Sequence, residues 1–120
     1  MSESEGDFES ARQVAAKAAM GKLPRRGGKR FASAFRHGSL QVEIFAPRGR
    51  DAQRPHVRDE VYVVVQGSGF YVNGGQRYAF RAGDLMFAAA GEAHHFEDFT
   101  EDFFTWVLFY GPDGGEKSKK

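Results

Sequence analysis

Two short stretches hold the side chains best suited to chemistry, Arg54-Pro55-His56-Val57-Arg58-Asp59-Glu60 and Gly91-Glu92-Ala93-His94-His95. Together they offer imidazoles and carboxylates, a donor set that a divalent transition metal accepts while keeping positions open for water or substrate. In a straight strand His56 and Glu60 would share a face, but at ~3.3 Å per residue their backbones would stand ~13 Å apart. That is too far for one ion bound at ~2 Å by each ligand. A bend is therefore required. Pro55 and the polar Arg58-Asp59 supply it, because proline is excluded from central strands and fits an edge or a turn. His56 then ends one strand and Glu60 begins the next, both turned inward, with Asp59 as the rival carboxylate. His94 and His95 would face opposite ways in a strand, so at most one of them enters the interior.

Two neighbours have a double reading. Arg54 is either an exposed base or an inward guanidinium that binds a substrate carboxylate or phosphate through paired hydrogen bonds. An inward Arg54 would also repel a cation, leaving a metal-free site. Tyr62 shares the face of Glu60 and is either pocket wall or core. His37, in a turn signal, reads as solvent-exposed. No residue set supports a Ser-His-Asp triad, a phosphate loop or a thiol mechanism, so hydrolase and nucleotide-binding functions are set aside.

The elements that must position these residues follow from the rest of the chain. Its 120 residues allow one domain. The absence of cysteine excludes disulfides and zinc-thiolate sites and fits a reducing compartment. No segment approaches the ~18 uninterrupted apolar residues of a membrane span, and the start is acidic rather than a signal peptide, which gives the expectation of a cytoplasmic protein. The net charge of +1 gives no reason to expect nucleic acid, yet charge is unevenly placed. Lys22, Arg25, Arg26, Lys29 and Arg30 crowd one stretch, while Glu92, Glu97, Asp98, Glu101 and Asp102 form the opposite cluster. The basic stretch reads as a solvated linker, or as an arm lying over the acidic loop of its own or a partner subunit.

Asp7 to Met20 lacks Gly and Pro, is alanine-rich and offers Asp7 or Ser10 as N-cap, so one helix is expected there, packed at an edge because alanines bury little. From Phe31 the period changes to that of strands. Phe31–Arg36 and Leu40–Ala46 flank His37-Gly38-Ser39 as a hairpin, and Val61–Gln66 and Phe70–Asn73 flank Gly67-Ser68-Gly69 as a second. Asn73-Gly74-Gly75 turns into Gln76–Phe80, and Leu85–Ala89 and Phe103–Tyr110 complete about eight short strands, the pattern of a sandwich or barrel. Alternation places Glu60, Tyr62, Val64 and Gln66 on one face and Val61, Val63 and Val65 on the other. The last strand is apolar on both faces, which requires a second layer, and a homodimer covering part of this surface is expected. Residues 1–30 are thus read as helix and basic arm, 31–111 as the β domain and 112–120 as an unstructured tail.

At this point the residues resemble those of the cupins, in particular the small single-domain bacterial members. Their first motif has a His-x-His pair, a glutamate and a later glycine, matched by His56, Glu60 and Gly67. Their second runs glycine, proline, glycine, histidine, asparagine, matched by Gly83, Gly91 and His94. The resemblance covers Phe31 to Gly111 and implies an all-β, cupin-type antiparallel β-barrel (double-stranded jelly roll) with a short N-terminal α-helix. Its spacing selects Glu60 over Asp59 and His94 over His95. Arg54 stands where the first histidine of the pair belongs, Ala89 replaces the proline and Asp98 the asparagine. Three metal ligands then remain, His56, Glu60 and His94, sufficient for Fe, Mn, Ni or Zn, with Arg54 and Tyr62 as candidate substrate contacts. The resemblance points to dioxygenase-like or isomerase-like chemistry on a small organic substrate. A ligand-binding or sensing barrel without turnover is the alternative, and a basic-arm interaction protein the third.

Overall fold

Alternating polar and apolar residues from Phe31 onward form eight strands in the structure, a computed structural model that describes residues 11–117. They are β1 (Phe31–His37), β2 (Leu40–Phe45), β3 (Asp59–Gln66), β4 (Ser68–Asn73), β5 (Gln76–Arg81), β6 (Leu85–Ala88), β7 (His94–Glu97) and β8 (Phe104–Tyr110). They build two antiparallel sheets, one in the order β1-β2-β8-β3-β6 and one in the order β5-β4-β7. This is the expected all-β jelly-roll architecture. Between the sheets, Tyr62, Val64, Tyr71, Phe80, Met86, Phe96, Phe103 and Val107 make one aromatic-rich core, and the parity read for β3 holds, with Glu60, Tyr62 and Val64 buried.

Turn chemistry explains two connections and corrects a third. β1 and β2 form the expected hairpin, closing at His37↔Leu40. β4 and β5 close at Asn73↔Gln76, where Gly74 and Gly75 both take positive φ (62° and 79°), as a two-residue hairpin loop demands. The expected hairpin at Gly67-Ser68-Gly69 does not exist. β3 pairs with β6 and β8, and β4 with β5 and β7, so the chain turns a corner there from one sheet to the other. Gly67 is needed for that corner. Its φ is 92°, and a Cβ on it would stand 2.6 Å from Cα of Phe103.

The expected helix is shorter than the sequence suggests. α1 spans Ala16–Met20, starting after an extended Ala15 that provides no side-chain cap. Asp7 and Ser10 lie outside the described residues. Short alanine-rich segments nucleate poorly on their own, and among the described residues the α-helix forms where Ala19 reaches the outer face of the larger sheet. There Ala19, Val14, Met20 and Leu23 pack with Ala32, Ile44, Val65, Phe104 and Trp106. The second apolar face of β8 is therefore covered in part by the chain's own N-terminal segment. Among the described residues no helix is long and apolar enough to cross a membrane.

The basic arm folds along β1 and β2 rather than over the acidic loop. Lys22, Arg25 and Arg30 donate to the carbonyls of Ser33, Phe31 and Ala46, whereas Glu97 and Asp98 pair with Arg77. The expected free tail is also tied down as far as Glu116, because Gly114 N–H donates to Val57 O and Glu116 N–H to Asp59 Oδ2. Residues 118–120 lie outside the described residues.

Candidate metal centre

The bend required between His56 and Glu60 is present. β3 begins only at Asp59, and a bend at Val57-Arg58 carries the chain from the loop holding His56 into the strand. His56 is thus a loop residue, not the end of a strand as expected, because Pro47 through Arg58 forms no ladder beyond a bridge between Arg48 and Arg50. The bend lets both side chains meet at one point. Nε2 of His56 and Nε2 of His94 each lie 3.6 Å from Oε1 of Glu60, and the three donor groups fall within 4.8 Å of one another. Such spacing admits one ion bonded at ~2 Å to each.

Glu60 supplies the strongest argument that a cation belongs here. It is 1 % exposed, and neither carboxylate oxygen has a hydrogen-bond partner. Leaving a buried polar group unsatisfied costs about 1–3 kcal/mol, and more when it is charged. An ion among these three side chains would give that carboxylate the partner it lacks.

Asp59, the rival carboxylate, points elsewhere and has a structural duty. Its oxygens accept from Ala90 N–H at 2.9 Å and Glu116 N–H at 2.8 Å, fastening the start of β3 to two loops. The parity argument for the histidines also holds. His94 is buried, whereas His95 faces outward and meets Glu97 at 2.9 Å. His37 is exposed at the end of β1.

The surroundings orient the cluster. Nδ1 of His94 lies 2.8 Å from the carbonyl of Glu92, which fixes a proton on that nitrogen and turns Nε2 toward Glu60. The buried Tyr62 hydroxyl lies 3.0 Å from His94 Nε2 and donates to Gln53 Oε1 at 3.2 Å, and His56 Nε2 lies 3.3 Å from the same oxygen. Burial alone would lower the pKa of His94. The Glu60 carboxylate and the Glu92 carbonyl outweigh it and hold the imidazole above its usual value. Burial, then the Glu60 charge, push the Tyr62 phenol well above its usual value, so it remains a neutral donor.

Beside the cluster opens a cavity of about 670 Å³, walled by Phe45, Val107 and Phe109 and including His56, Glu60 and Tyr62 in its lining. Its size lies within the usual range for small-molecule sites. A family model described as a cupin domain matches residues 41–109. The chain belongs to the cupin family. An uncharacterised protein of Streptomyces coelicolor is 36% identical over 81 residues, 66% of this cupin and 77% of that protein. The HTH-type transcriptional activator RhaS of Yersinia pestis is 32% identical over 74 residues, 62% of this chain but only 27% of RhaS. In structure, KdgF from Halomonas aligns with a TM-score of 0.60 at 20% identity, over 67% of this chain and 76% of that one, a likeness of fold.

Of the residues expected at the site, His56, Glu60, His94 and Tyr62 come together. Arg54 lines the cavity from an exposed position at its rim and forms no ion pair with Glu60, whose charged neighbours are His56 and His94. Three contributors were not read from the sequence. Gln53 joins Tyr62 to His56, Asp51 accepts from Phe96 N–H and Gln53 Nε2, and Glu43 faces the cavity from β2, bonded to Gln41 at 3.1 Å. Glu43 carried a usable signal, since a carboxylate on the inward parity of an apolar strand is unusual. Asp51 and Gln53 sit in an irregular loop where no periodicity applies.

Proposed function

We propose that this cupin binds one divalent transition-metal ion, Fe, Mn, Ni or Zn, through His56, Glu60 and His94, and acts on a small organic substrate in the adjoining cavity. The observation that carries the reading is the buried Glu60 carboxylate, both oxygens unpartnered, flanked by two imidazole nitrogens at 3.6 Å. When bound, such an ion supplies Lewis acidity to a substrate oxygen or, if redox-active, a site for dioxygen, in keeping with isomerase-like or dioxygenase-like chemistry. The chain's own residues do the rest. The Glu92 carbonyl sets the His94 tautomer and leaves Nε2 free for an ion, Tyr62 and Gln53 stand beside the two ligand nitrogens, and the phenylalanine walls keep water from the substrate.

Metal analysis of untagged protein tests the reading directly. One ion per chain, lost in His94→Ala, is expected; no metal in either protein, and no uptake of added Fe, Mn, Ni or Zn, would reject it. Oxygen consumption with phenols or diketones then screens for turnover. The similarity to RhaS, a transcriptional activator by name, favours a second reading in which the cavity senses a ligand without turnover, and steady silence in that screen would move weight to it.

A further inference from the structure

The cavity mouth holds a surplus of positive charge that no ion pair among the described residues neutralises. Arg30, Arg48, Arg50, Arg54 and Arg58 all line it, against the carboxylates of Glu43, Asp51 and Glu60. Arg58 is committed elsewhere, its guanidinium donating to the carbonyls of Gly111 and Ser39. Asp51 is committed as well, to Phe96 N–H and Gln53. The carboxylate of Glu43 accepts from Gln41 Nε2 at 3.1 Å and forms no ion pair among the described residues. Among the described residues, none of Arg30, Arg48, Arg50 and Arg54 forms an ion pair with a carboxylate.

Two of these arginines are placed by backbone rather than by chance. Ala46 N–H donates to Arg30 O at 2.8 Å and Arg30 Nε donates back to Ala46 O at 2.7 Å, a reciprocal clasp that fixes the root of the guanidinium and uses only one of its nitrogens. Two residues on, the chain turns sharply through Gly49 (φ 70°), with Arg50 N–H donating to Arg48 O at 2.7 Å, which sets Arg48 at the same rim. The two like charges lie near enough that Arg48, after burial, weakens the hold of Arg30 on its proton. Unpaired neighbouring guanidiniums at the edge of an apolar cavity are an arrangement that an oxyanion relieves, by accepting paired N–H bonds from each.

We infer that the cavity selects a small organic anion whose carboxylate or phosphate is gripped at the mouth by Arg30 and Arg48, while its body lies against Phe45, Val107 and Phe109 and reaches toward His56, Glu60 and His94. The inference rests on the reading of this cavity as the substrate site, and it assigns the recognition of charge to arginines rather than to the metal.

The test uses benzoate, phenyl phosphate and uncharged benzamide as probes, titrated by calorimetry or ligand-observed NMR into the full chain, both metal-loaded and metal-stripped. At least about tenfold tighter binding of one anion than of benzamide is expected in both states, since charge-assisted hydrogen bonds carry that much. The stronger of benzoate and phenyl phosphate identifies which oxyanion fits. Arg48→Gln should lose that preference and leave benzamide binding and metal content unchanged. Arg30→Lys, which keeps the charge but not the fork, guards against misfolding and should reduce the preference in part. Arg77→Gln, outside the cavity lining and paired with Glu97 and Asp98, should keep it. Equal binding of anions and benzamide overturns the inference. So does a preference that appears only with metal and survives Arg48→Gln, because the metal would then be the anion receptor. Metal content, measured separately, judges the metal reading by itself.

Discussion

The Asp51 carboxylate accepts a hydrogen bond from Gln53 Nε2 at 2.7 Å, which leaves the amide oxygen of Gln53 facing Tyr62 and His56. The same Asp51 oxygen accepts from Phe96 N–H in β7, so one carboxylate ties the His56 loop to the strand that carries His94. Asp51→Asn should therefore loosen the cluster without touching a ligand. Outer groups of this kind change metal affinity by about 10–100-fold, and competition with a fluorescent zinc chelator would measure the loss. Unchanged affinity would mean that the loop holds His56 without Asp51.

The pH dependence has opposite signs with and without metal. In the metal-free chain His94 is held above its usual value, chiefly by Glu60 against the opposing effect of burial. A group with a raised folded pKa contributes stability that is complete below its unfolded value, about 6.5, and fades as pH rises through the folded value. Zinc needs an unprotonated Nε2, so the stabilisation it adds should grow over the same rise. Melting curves between about pH 6 and 9, with and without zinc, should diverge; parallel curves would show that His94 does not exchange its proton for metal.

Removing the charge of Glu60 should separate stability from function. Glu60→Gln takes away a buried carboxylate with two unpartnered oxygens, so at a pH where His94 is neutral the metal-free variant is expected to melt at or above the parent, by up to about 1–3 kcal/mol. It should also gain nothing from added zinc. A variant that melts several degrees lower and still responds to zinc would contradict the assignment.

Gly67→Ala should be among the most damaging single substitutions of the barrel. The new methyl would meet Phe103 Cα at 2.6 Å and Thr100 Oγ1 at 2.7 Å in a backbone with φ of 92°. Steric overlap and left-handed strain together should cost at least about 2 kcal/mol, read from urea denaturation. Gly38→Ala, with φ of 58° and open space around it, should cost less.

An apolar strip remains on the outer face of the larger sheet. Leu85 and Phe87 on the edge strand β6 are 66% and 47% exposed, and they lie opposite Val63 and Val61. We propose that a second copy covers it. Sedimentation should show a dimer at micromolar concentration, and Phe87→Asp should shift it toward monomer; a monomer throughout would overturn the proposal.

Some of this was legible in the residues because it depended on local rules. Asn73-Gly74-Gly75 specifies its own turn, and strict alternation from Glu60 to Val64 tells which side chains go inside whatever the strand pairs with. At Gly67 local rules do not decide, since a glycine that allows a hairpin also allows a change of sheet, and the distant Phe103 packs against the corner that forms. α1 was overextended because its boundary is set by where Ala19 meets the outer face of the sheet rather than by propensity.

By itself, then, the chain determined its strand count, the inward parity of Glu60 and Tyr62, that at most one of His94 and His95 turns inward, and the need for a bend after His56, while the resemblance to cupins selected His94. Tertiary structure alone decided that His56 and His94 stand at equal distances from Glu60, that Asp59 fastens the start of β3 to two loops, that Asp51 and Gln53 back the cluster, and that Arg48 lines the cavity beside it. The physical reason is that periodicity reports which way a side chain points, whereas coordination and charge recognition depend on distances between segments far apart in sequence, and those are set by how the two sheets and the irregular loop between them pack.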